Sequence, residues 1–193
     1  MLLCITGSVA AVMAVPGIVW LRQRQGVREI RVVMTRPAAH LIPAHTVSAV
    51  SGSATLVDWD DALRTHQSHV SLAGWADVLI IMPATANTLS KLATGQADDL
   101  VSACALAAAC PVVVAPAMNH VMWDKPATRR NVRQLVDDGF HIVQPIEGFA
   151  VADGETWPGS MAQVETVWEC AATLLDGYRN THRADDAPTG ERR

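Results

Sequence analysis

The chain has 193 residues, of which half are apolar and 18% are charged, and its formal net charge is −4. This length predicts one domain with a sizeable hydrophobic core. The weakly negative charge gives no reason to expect a nucleic acid or an anionic membrane as a partner.

The cysteines show no CxxC or other metal-binding spacing. We interpret them as reduced core thiols of a cytoplasmic protein, in preference to disulfides or metal ligands, and we predict no metal site. The four residues are Cys4, Cys104, Cys110 and Cys170.

Residues 1–21 are almost uncharged, as in signal peptides and membrane spans. The segment has no basic start, however, and Gly7-Ser8 and Pro16-Gly17 interrupt it. A buried strand, a tight turn and a buried helix are therefore favoured over a span or a signal peptide. A mostly apolar first helix also indicates packing against another subunit.

The first third of the sequence alternates short β-branched runs with longer helical segments. Such runs predict buried parallel strands. Pro16 predicts a disturbance in the first helix. The predicted order is a strand over 2–6, a turn at Gly7-Ser8, a helix over 9–25, a strand over 29–34 followed by Thr35, a helix over 37–51 ending near Gly52, and a strand over 55–58.

The middle of the sequence continues this alternation after a polar stretch, residues 60–72, which contains His66 and His69. Gly95 and Gly139 are predicted helix stops. The order is a strand over 78–82, helices over 87–94 and 98–109, a strand over 111–115, a loop over 116–119, a helix over 125–138 and a strand over 141–144.

The last third ends the domain. Residues 145–160 are rich in Gly, Pro and acidic residues and are predicted to form a mobile flap. A closing helix is predicted over 161–178. Residues 180–193 are polar without an apolar period and are predicted to be disordered. The predicted domain therefore covers residues 1–179.

Strands that alternate with helices predict an α/β fold, a Rossmann-like three-layer sandwich with a parallel sheet of about six strands. No G-x-G-x-x-G follows the first strand, which counts against an ordinary dinucleotide site. Two predicted strands are followed at once by proline, small and amide residues, over 83–88 and 116–119. Because ligands bind beyond the carboxyl ends of parallel strands, we expect the active site there.

Several stretches together resemble the flavin-containing cysteine decarboxylases, which include phosphopantothenoylcysteine decarboxylase and the lanthipeptide decarboxylases acting on a C-terminal peptide cysteine. The resemblance covers about residues 1–165, and its most specific motif is PAMNxxMW. The matching pieces lie within residues 7–11, 34–38, 49–52, 69–77, 83–88, 95–100 and 116–123.

The resemblance implies a flavin, FMN or FAD, and roles for particular residues. His69 is the implied base, against the alternative of a surface histidine, and Asn119 orients a carboxylate, against the alternative of a helix cap. The implied cofactor residues are Gly7, Ser8, Thr35, Thr85, Ala86, Asn87, Thr88, Ala117 and Met118. The implied substrate residues are Asn119, Met122, Trp123 and Val151.

The implied chemistry combines oxidation with loss of CO2. Hydride transfer from the thiol-bearing carbon to flavin gives a thioaldehyde, which accepts the electrons left when CO2 departs. His69 would assist thiol deprotonation and Asn119 would orient the carboxylate. The product is an enethiol.

The sequence departs from phosphopantothenoylcysteine decarboxylases in the flap. Val151 stands where that branch has a cysteine that helps to reduce the enethiol, and Ser160 replaces an arginine. Leu41 stands where the family tends to have an aromatic residue. The enethiol is therefore the expected end product, as in the peptide-modifying branch.

We therefore predict oxidative decarboxylation of the C-terminal cysteine of a precursor peptide to an aminoenethiol, in lanthipeptide biosynthesis. The alternatives are phosphopantothenoylcysteine decarboxylase and a non-catalytic relative. The apolar first helix and the resemblance predict a homo-oligomer, a trimer or a dodecamer of trimers. Neither a nucleic acid nor a membrane is expected as a partner.

Overall fold

The computed structural model describes residues 1–149 and 156–185. Its central sheet has six parallel strands in the order β3-β2-β1-β4-β5-β6. This confirms the predicted Rossmann-like sheet. The strands are β1 Leu2–Ile5, β2 Arg31–Met34, β3 Thr55–Val57, β4 Leu79–Ala84, β5 Val112–Pro116 and β6 His141–Ile142, and a separate antiparallel hairpin consists of β7 Ile146–Phe149 and β8 Thr156–Ser160.

Helices cover both faces of the sheet. A 3₁₀ helix over Val9–Met13 precedes the first of them. None of the helices in the described ranges is long and apolar enough to cross a membrane. The α-helices are α1 Ala14–Arg24, α2 Arg36–Leu41, α3 Ala44–Ser51, α4 Asp58–Arg64, α5 His69–Trp75, α6 Ala86–Ala93, α7 Leu100–Ala107, α8 His120–Asp124, α9 Pro126–Asp137 and α10 Val164–Asp185.

Two hydrophobic clusters, one on each face of the sheet, form the core. Successive side chains of a strand point to opposite faces, so Leu3 and Ile5 join one cluster while Leu2 and Cys4 join the other. All four side chains are fully buried. The strands are therefore apolar throughout, as expected for a parallel sheet covered on both faces.

The predicted single helix over 37–51 is wrong. The structure has two helices, α2 and α3, separated at Ile42 and Pro43. Ile42 is extended, with φ −133° and ψ 130°, because the proline ring disfavours the helical region for the residue before it. The disturbance predicted at Pro16 lies slightly earlier, where the 3₁₀ helix passes into α1.

The polar stretch over 60–72 is also more regular than predicted, since it contains most of α4 and the start of α5. Ser68 and Ser71 form a reciprocal capping box that starts α5. Such a box satisfies backbone N–H groups that the first turn leaves unpaired. His69 is thereby the first residue of a helix.

The predicted closing helix over 161–178 differs from the structure at both ends. The last helix, α10, spans Val164–Asp185, so the prediction of disorder is wrong for residues 180–185. The predicted flap contains the hairpin β7–β8. Its centre, including Val151, and the rest of the tail from 186 lie outside the described residues.

Candidate active site

A cavity of about 540 Å³ opens at the carboxyl edge of the sheet. It lies beyond β1 and β4, where the strand order reverses, which is the usual ligand position in doubly wound folds. Its volume is in the range of small-molecule sites. The lining residues are Thr6, Gly7, Ser8, Met34, Thr35, Arg36, Pro37, Asp58, Thr85, Ala86, Asn87, Thr88, Lys91, Asp99, Leu100, Val101, Ala117, Met118 and Met122.

Thr6, which the sequence interpretation missed, joins the two sides of this cavity. Its buried hydroxyl donates to the Pro83 carbonyl at 2.8 Å and accepts from the Thr85 backbone N–H at 3.1 Å. One side chain therefore satisfies a carbonyl and an N–H just past the core of β4. This holds the start of α6 against the end of β1.

The turn at Gly7-Ser8 forms one end of the cavity. A Cβ added to Gly7 would clash with the Pro37 Cβ, so glycine is required for the close approach of this turn to α2. The Ser8 hydroxyl accepts from the Ala10 N–H at 3.4 Å, and the Thr35 hydroxyl accepts from the Ala38 N–H at 3.4 Å. Each hydroxyl keeps its own proton for a ligand oxygen.

The start of α6 supplies a second group of polar atoms. Thr85 caps this helix by accepting from the Thr88 N–H at 3.2 Å, and the two hydroxyl oxygens lie 3.0 Å apart. Asn87 lines the cavity and is exposed, so its amide is available as both donor and acceptor.

Four charged residues in the cavity wall were also missed. Arg36 pairs with Asp58, its Nε lying 2.7 Å from Oδ2. Lys91 pairs with Asp99, its Nζ also lying 2.7 Å from Oδ2. The Lys91 side chain is only 16% exposed and makes a second 2.7 Å ion pair, with Asp98. Arg36 directly follows Thr35, and Asp99 belongs to the stretch 95–100 that resembles the family. Their positions in the sequence could therefore have identified both as candidate site residues.

The Asp99 carboxylate is held in its charged form. Burial alone would raise its pKa, but hydrogen bonds from Lys91 and Ser102 outweigh burial and keep the pKa of Asp99 below its ordinary value. The same carboxylate caps α7 by accepting from the Ser102 N–H at 2.8 Å. The pair therefore joins α6 to the start of α7 at the cavity wall.

All nine predicted cofactor residues line this cavity, together with Met122. Three other predicted site residues are not among the described residues that line the cavity: His69, Asn119 and Trp123. Trp123 is 4% exposed and lies under the Arg129 guanidinium, 4.5 Å from the ring centroid.

His69 is the first residue of α5 and is not among the residues that line the cavity. Its ring meets the Trp59 ring edge to face, with 5.5 Å between centroids. The Trp59 Nε1–H donates to the Asp98 carbonyl at 3.3 Å, next to the cavity residue Asp99. Trp59 thus connects His69 to the loop that precedes α7.

Asn119 caps α8, its Oδ1 accepting from the Val121 N–H at 2.8 Å. The capping bond occupies the side-chain oxygen, so the amide NH₂ is the group that can serve a substrate. Ala117 and Met118, its neighbours in sequence, line the cavity. A helix cap and a carboxylate donor are therefore compatible roles for this residue.

The donors of the cavity fit a flavin. The hydroxyls of Ser8 and Thr35 and the Gly7 turn suit a phosphate, while the Asn87 amide suits the alternating donors and acceptors of the ring edge. Met34, Met118 and Met122 add apolar surface. In the described part of the chain, no group of three or more His, Cys, Asp or Glu residues could hold a metal ion.

Comparison with known families agrees with this site. The family model described as Flavoprotein matches residues 1–176, and the chain therefore belongs to the flavoprotein family. The solved structure of the FMN-dependent cysteine decarboxylase SpaF is similar with a TM-score of 0.80 and 44% identity, covering 92% of this chain and 95% of that chain. The resemblance inferred from the motifs is confirmed, as are the predictions of a flavin and of an enzyme.

The chain is also similar to two curated proteins of different kinds. Mersacidin decarboxylase from Bacillus sp. (strain HIL-Y85/54728) is 41% identical over 133 residues, 68% of each protein. The coenzyme A biosynthesis bifunctional protein CoaBC from Bacillus subtilis (strain 168) is 36% identical over 171 residues, 88% of this chain. The chain spans 41% of the length of that CoaBC protein.

Proposed function

We propose that this protein is an FMN-dependent decarboxylase that oxidises the C-terminal cysteine of a precursor peptide to an aminoenethiol, in lanthipeptide biosynthesis. The observation that carries the proposal is the cavity at the carboxyl edge of the sheet, which all nine predicted cofactor residues line. The similarity to SpaF and to mersacidin decarboxylase supports it.

Each proposed residue has one task. His69 accepts the proton of the substrate thiol, and the Asn119 NH₂ donates to the substrate carboxylate. Bound flavin would supply the acceptor for the hydride that leaves the thiol-bearing carbon. The C–C bond to the carboxylate then breaks and CO2 departs. The electron pair of the broken bond forms the double bond of the enethiolate.

Two substitutions favour the enethiol as the final product. Reduction to a saturated thiol uses a cysteine that Val151 replaces, and Val151 has no proton to give. Ser160, which stands in place of an arginine, ends β8 and pairs with Ile146, and its side chain lies against Gly148. Met122, Trp123 and Val151 are the proposed substrate contacts beside Asn119.

A homo-oligomer, a trimer or a dodecamer of trimers, is part of the proposal. Val9, Val12 and Met13 of the 3₁₀ helix are exposed, as is Leu41 of the adjoining α2. Apolar surface of this kind marks protein contacts, and this patch begins directly after Ser8. We also propose that residues 1–179 form the flavin-binding domain and that the protein is cytoplasmic, in keeping with its free cysteines.

The mass of the product tests the proposal. Purified protein is incubated with a peptide ending in cysteine and, separately, with phosphopantothenoylcysteine. Oxidation plus decarboxylation removes CO2 and two hydrogens, about 46 Da, whereas decarboxylation followed by reduction removes about 44 Da. We expect the 46 Da loss from the peptide.

Phosphopantothenoylcysteine decarboxylase is the second candidate, favoured by the similarity to CoaBC over 88% of this chain. A loss of about 44 Da from phosphopantothenoylcysteine, with no change in the peptide, would replace the first proposal with this one. No turnover of either substrate by flavin-loaded protein would indicate a non-catalytic relative.

A further inference from the structure

Arg36 places a positive charge at the end of the cavity formed by the Gly7-Ser8 turn. It is the first residue of α2 and lines the cavity. The next residue, Pro37, packs so closely on Gly7 that no Cβ fits between them. Arg36 and the turn therefore border the same end of the cavity.

The partners of Arg36 are two carboxylates near the surface. Its Nε lies 2.7 Å from Asp58 Oδ2, and its Nη2 lies 3.2 Å from Asp60 Oδ2. The Arg36 side chain is 63% exposed and that of Asp60 is 76% exposed, whereas that of Asp58 is 18% exposed. Exposed ion pairs contribute little to stability, so the guanidinium can give up its contact with Asp60 at little cost while it stays beside Asp58.

The other cation of the described cavity wall is fixed more firmly. Lys91 is 16% exposed and forms two ion pairs of 2.7 Å, with Asp98 and Asp99. Its ammonium is enclosed by these contacts, whereas most of the Arg36 side chain is exposed. Arg36 is therefore the cation better suited to meet an incoming anion.

We propose that Arg36 binds the phosphate of FMN, exchanging part of its ion pair with Asp58 and Asp60 for the phosphate oxygens. A guanidinium presents paired N–H donors that match phosphate geometry. Arg36 also screens the phosphate from the same two carboxylates, which would otherwise repel it. The inference rests on the flavin site and is independent of the substrate.

Titration of the flavin-free full-length protein with FMN and with riboflavin tests the proposal. Riboflavin has the same ring but lacks the phosphate. We expect Arg36→Gln to weaken FMN binding roughly tenfold to a hundredfold, as for loss of a charge-assisted hydrogen bond, and to leave riboflavin binding unchanged. FMN affinity of the variant should also depend less on salt than that of the unaltered protein.

Two further variants separate this role from a structural one. Arg64→Gln is the matched control, because Arg64 is exposed and paired with Asp61 but lies outside the cavity lining; it should bind both flavins normally. Asp58→Asn frees Arg36 and removes a repelling charge, so FMN should bind at least as tightly as before.

Three results would overturn the proposal: unchanged FMN affinity in Arg36→Gln, equal weakening of FMN and riboflavin, or an Asp58→Asn variant as defective as Arg36→Gln. The last two would show that the ion pair only maintains the cavity. Because no decarboxylation is measured, failure here is distinct from failure of the proposed reaction.

Discussion

The cofactor cavity and the two proposed catalytic residues differ in how far the fold alone brings them together. The predicted cofactor residues come from the ends of β1, β2, β4 and β5, and they meet in one cavity. His69 and Asn119 do not line that cavity and lie on the first turn of α5 and at the cap of α8.

This difference reflects two kinds of positioning. The carboxyl ends of parallel strands lie at the same edge of a sheet. Residues just past those ends are therefore neighbours, irrespective of the helices that connect the strands. Residues on connecting helices depend instead on side-chain contacts, such as that of His69 with Trp59. The positions of the cavity residues therefore follow from the sheet, whereas the positions of His69 and Asn119 depend on how α5 and α8 pack.

The largest expected effect comes from the catalytic residues. His69→Asn and Asn119→Ala should each lower turnover roughly a hundredfold or more while retaining flavin, because neither side chain lines the cavity. Mass spectrometry measures turnover, and absorbance at about 450 nm measures the flavin content. Loss of flavin from either variant would contradict the division between the cofactor cavity and the two catalytic residues.

Two control variants accompany this prediction. Asn119→Ser retains a capping oxygen but lacks the amide donor, so it should be as inactive as Asn119→Ala. His66→Asn should be normal, since His66 is exposed and lies outside the cavity lining. Normal turnover by His69→Asn would instead direct attention to His66 as the base.

A smaller effect is expected in the cofactor region. Thr6→Val removes the hydroxyl that joins Pro83 to Thr85 and leaves the Thr85 N–H unpaired, whereas the Pro83 carbonyl keeps the bond from the Thr6 backbone N–H. We expect a loss of about 1–3 kcal/mol in the free energy of unfolding, and flavin affinity weakened about tenfold as α6 loosens. Denaturant unfolding and flavin titration measure the two quantities.

Thr55→Val is the matched control for Thr6→Val. The buried Thr55 hydroxyl has no hydrogen-bond partner among the described residues, so its removal should leave stability unchanged or slightly higher. Equal losses of unfolding free energy in both variants would show that the hydrogen bonds of the Thr6 hydroxyl make no particular contribution to stability.

The smallest effect concerns pH. The folded-state pKa of Asp99 lies below its ordinary value of 3.8, so the unfolded chain takes up the proton first as pH falls. Its stabilising contribution is complete above that ordinary value and is lost as pH falls through the folded value. Asp99→Asn, which keeps a capping residue, should flatten the decline in unfolding free energy between about pH 5 and 3 by about 1 kcal/mol or less. An unaltered slope would show that Lys91 does not stabilise this carboxylate.

Local signals predicted much of the fold. Gly95 and Gly139 end helices with φ of 68° and 90°, which only glycine adopts without strain. The break at Pro43 was missed although the restriction that this proline places on the preceding Ile42 is itself a local rule. Tertiary contacts were not required to find it.

The charged part of the site was harder to predict. The strand-end rule finds Thr35, which directly follows β2, and Asn87, in the first turn of α6 after β4, but Lys91 lies further along α6. It is recognisable only through its pairing with Asp99, a contact across eight positions. Thr6 was missed for another reason, since a threonine in an apolar run is usual in a strand and its two bonds span more than 75 positions.

The link between Met118 and Gly159 has a mechanical consequence. The Met118 N–H donates to the Gly159 carbonyl at 3.0 Å. The Met118 carbonyl is so close to Gly159 that it would clash with a Cβ there. The hairpin β7–β8 is thus attached, at its second strand, to the backbone of a cavity residue. A movement of the second strand of the hairpin would therefore also shift the backbone of Met118 and with it the wall of the cavity.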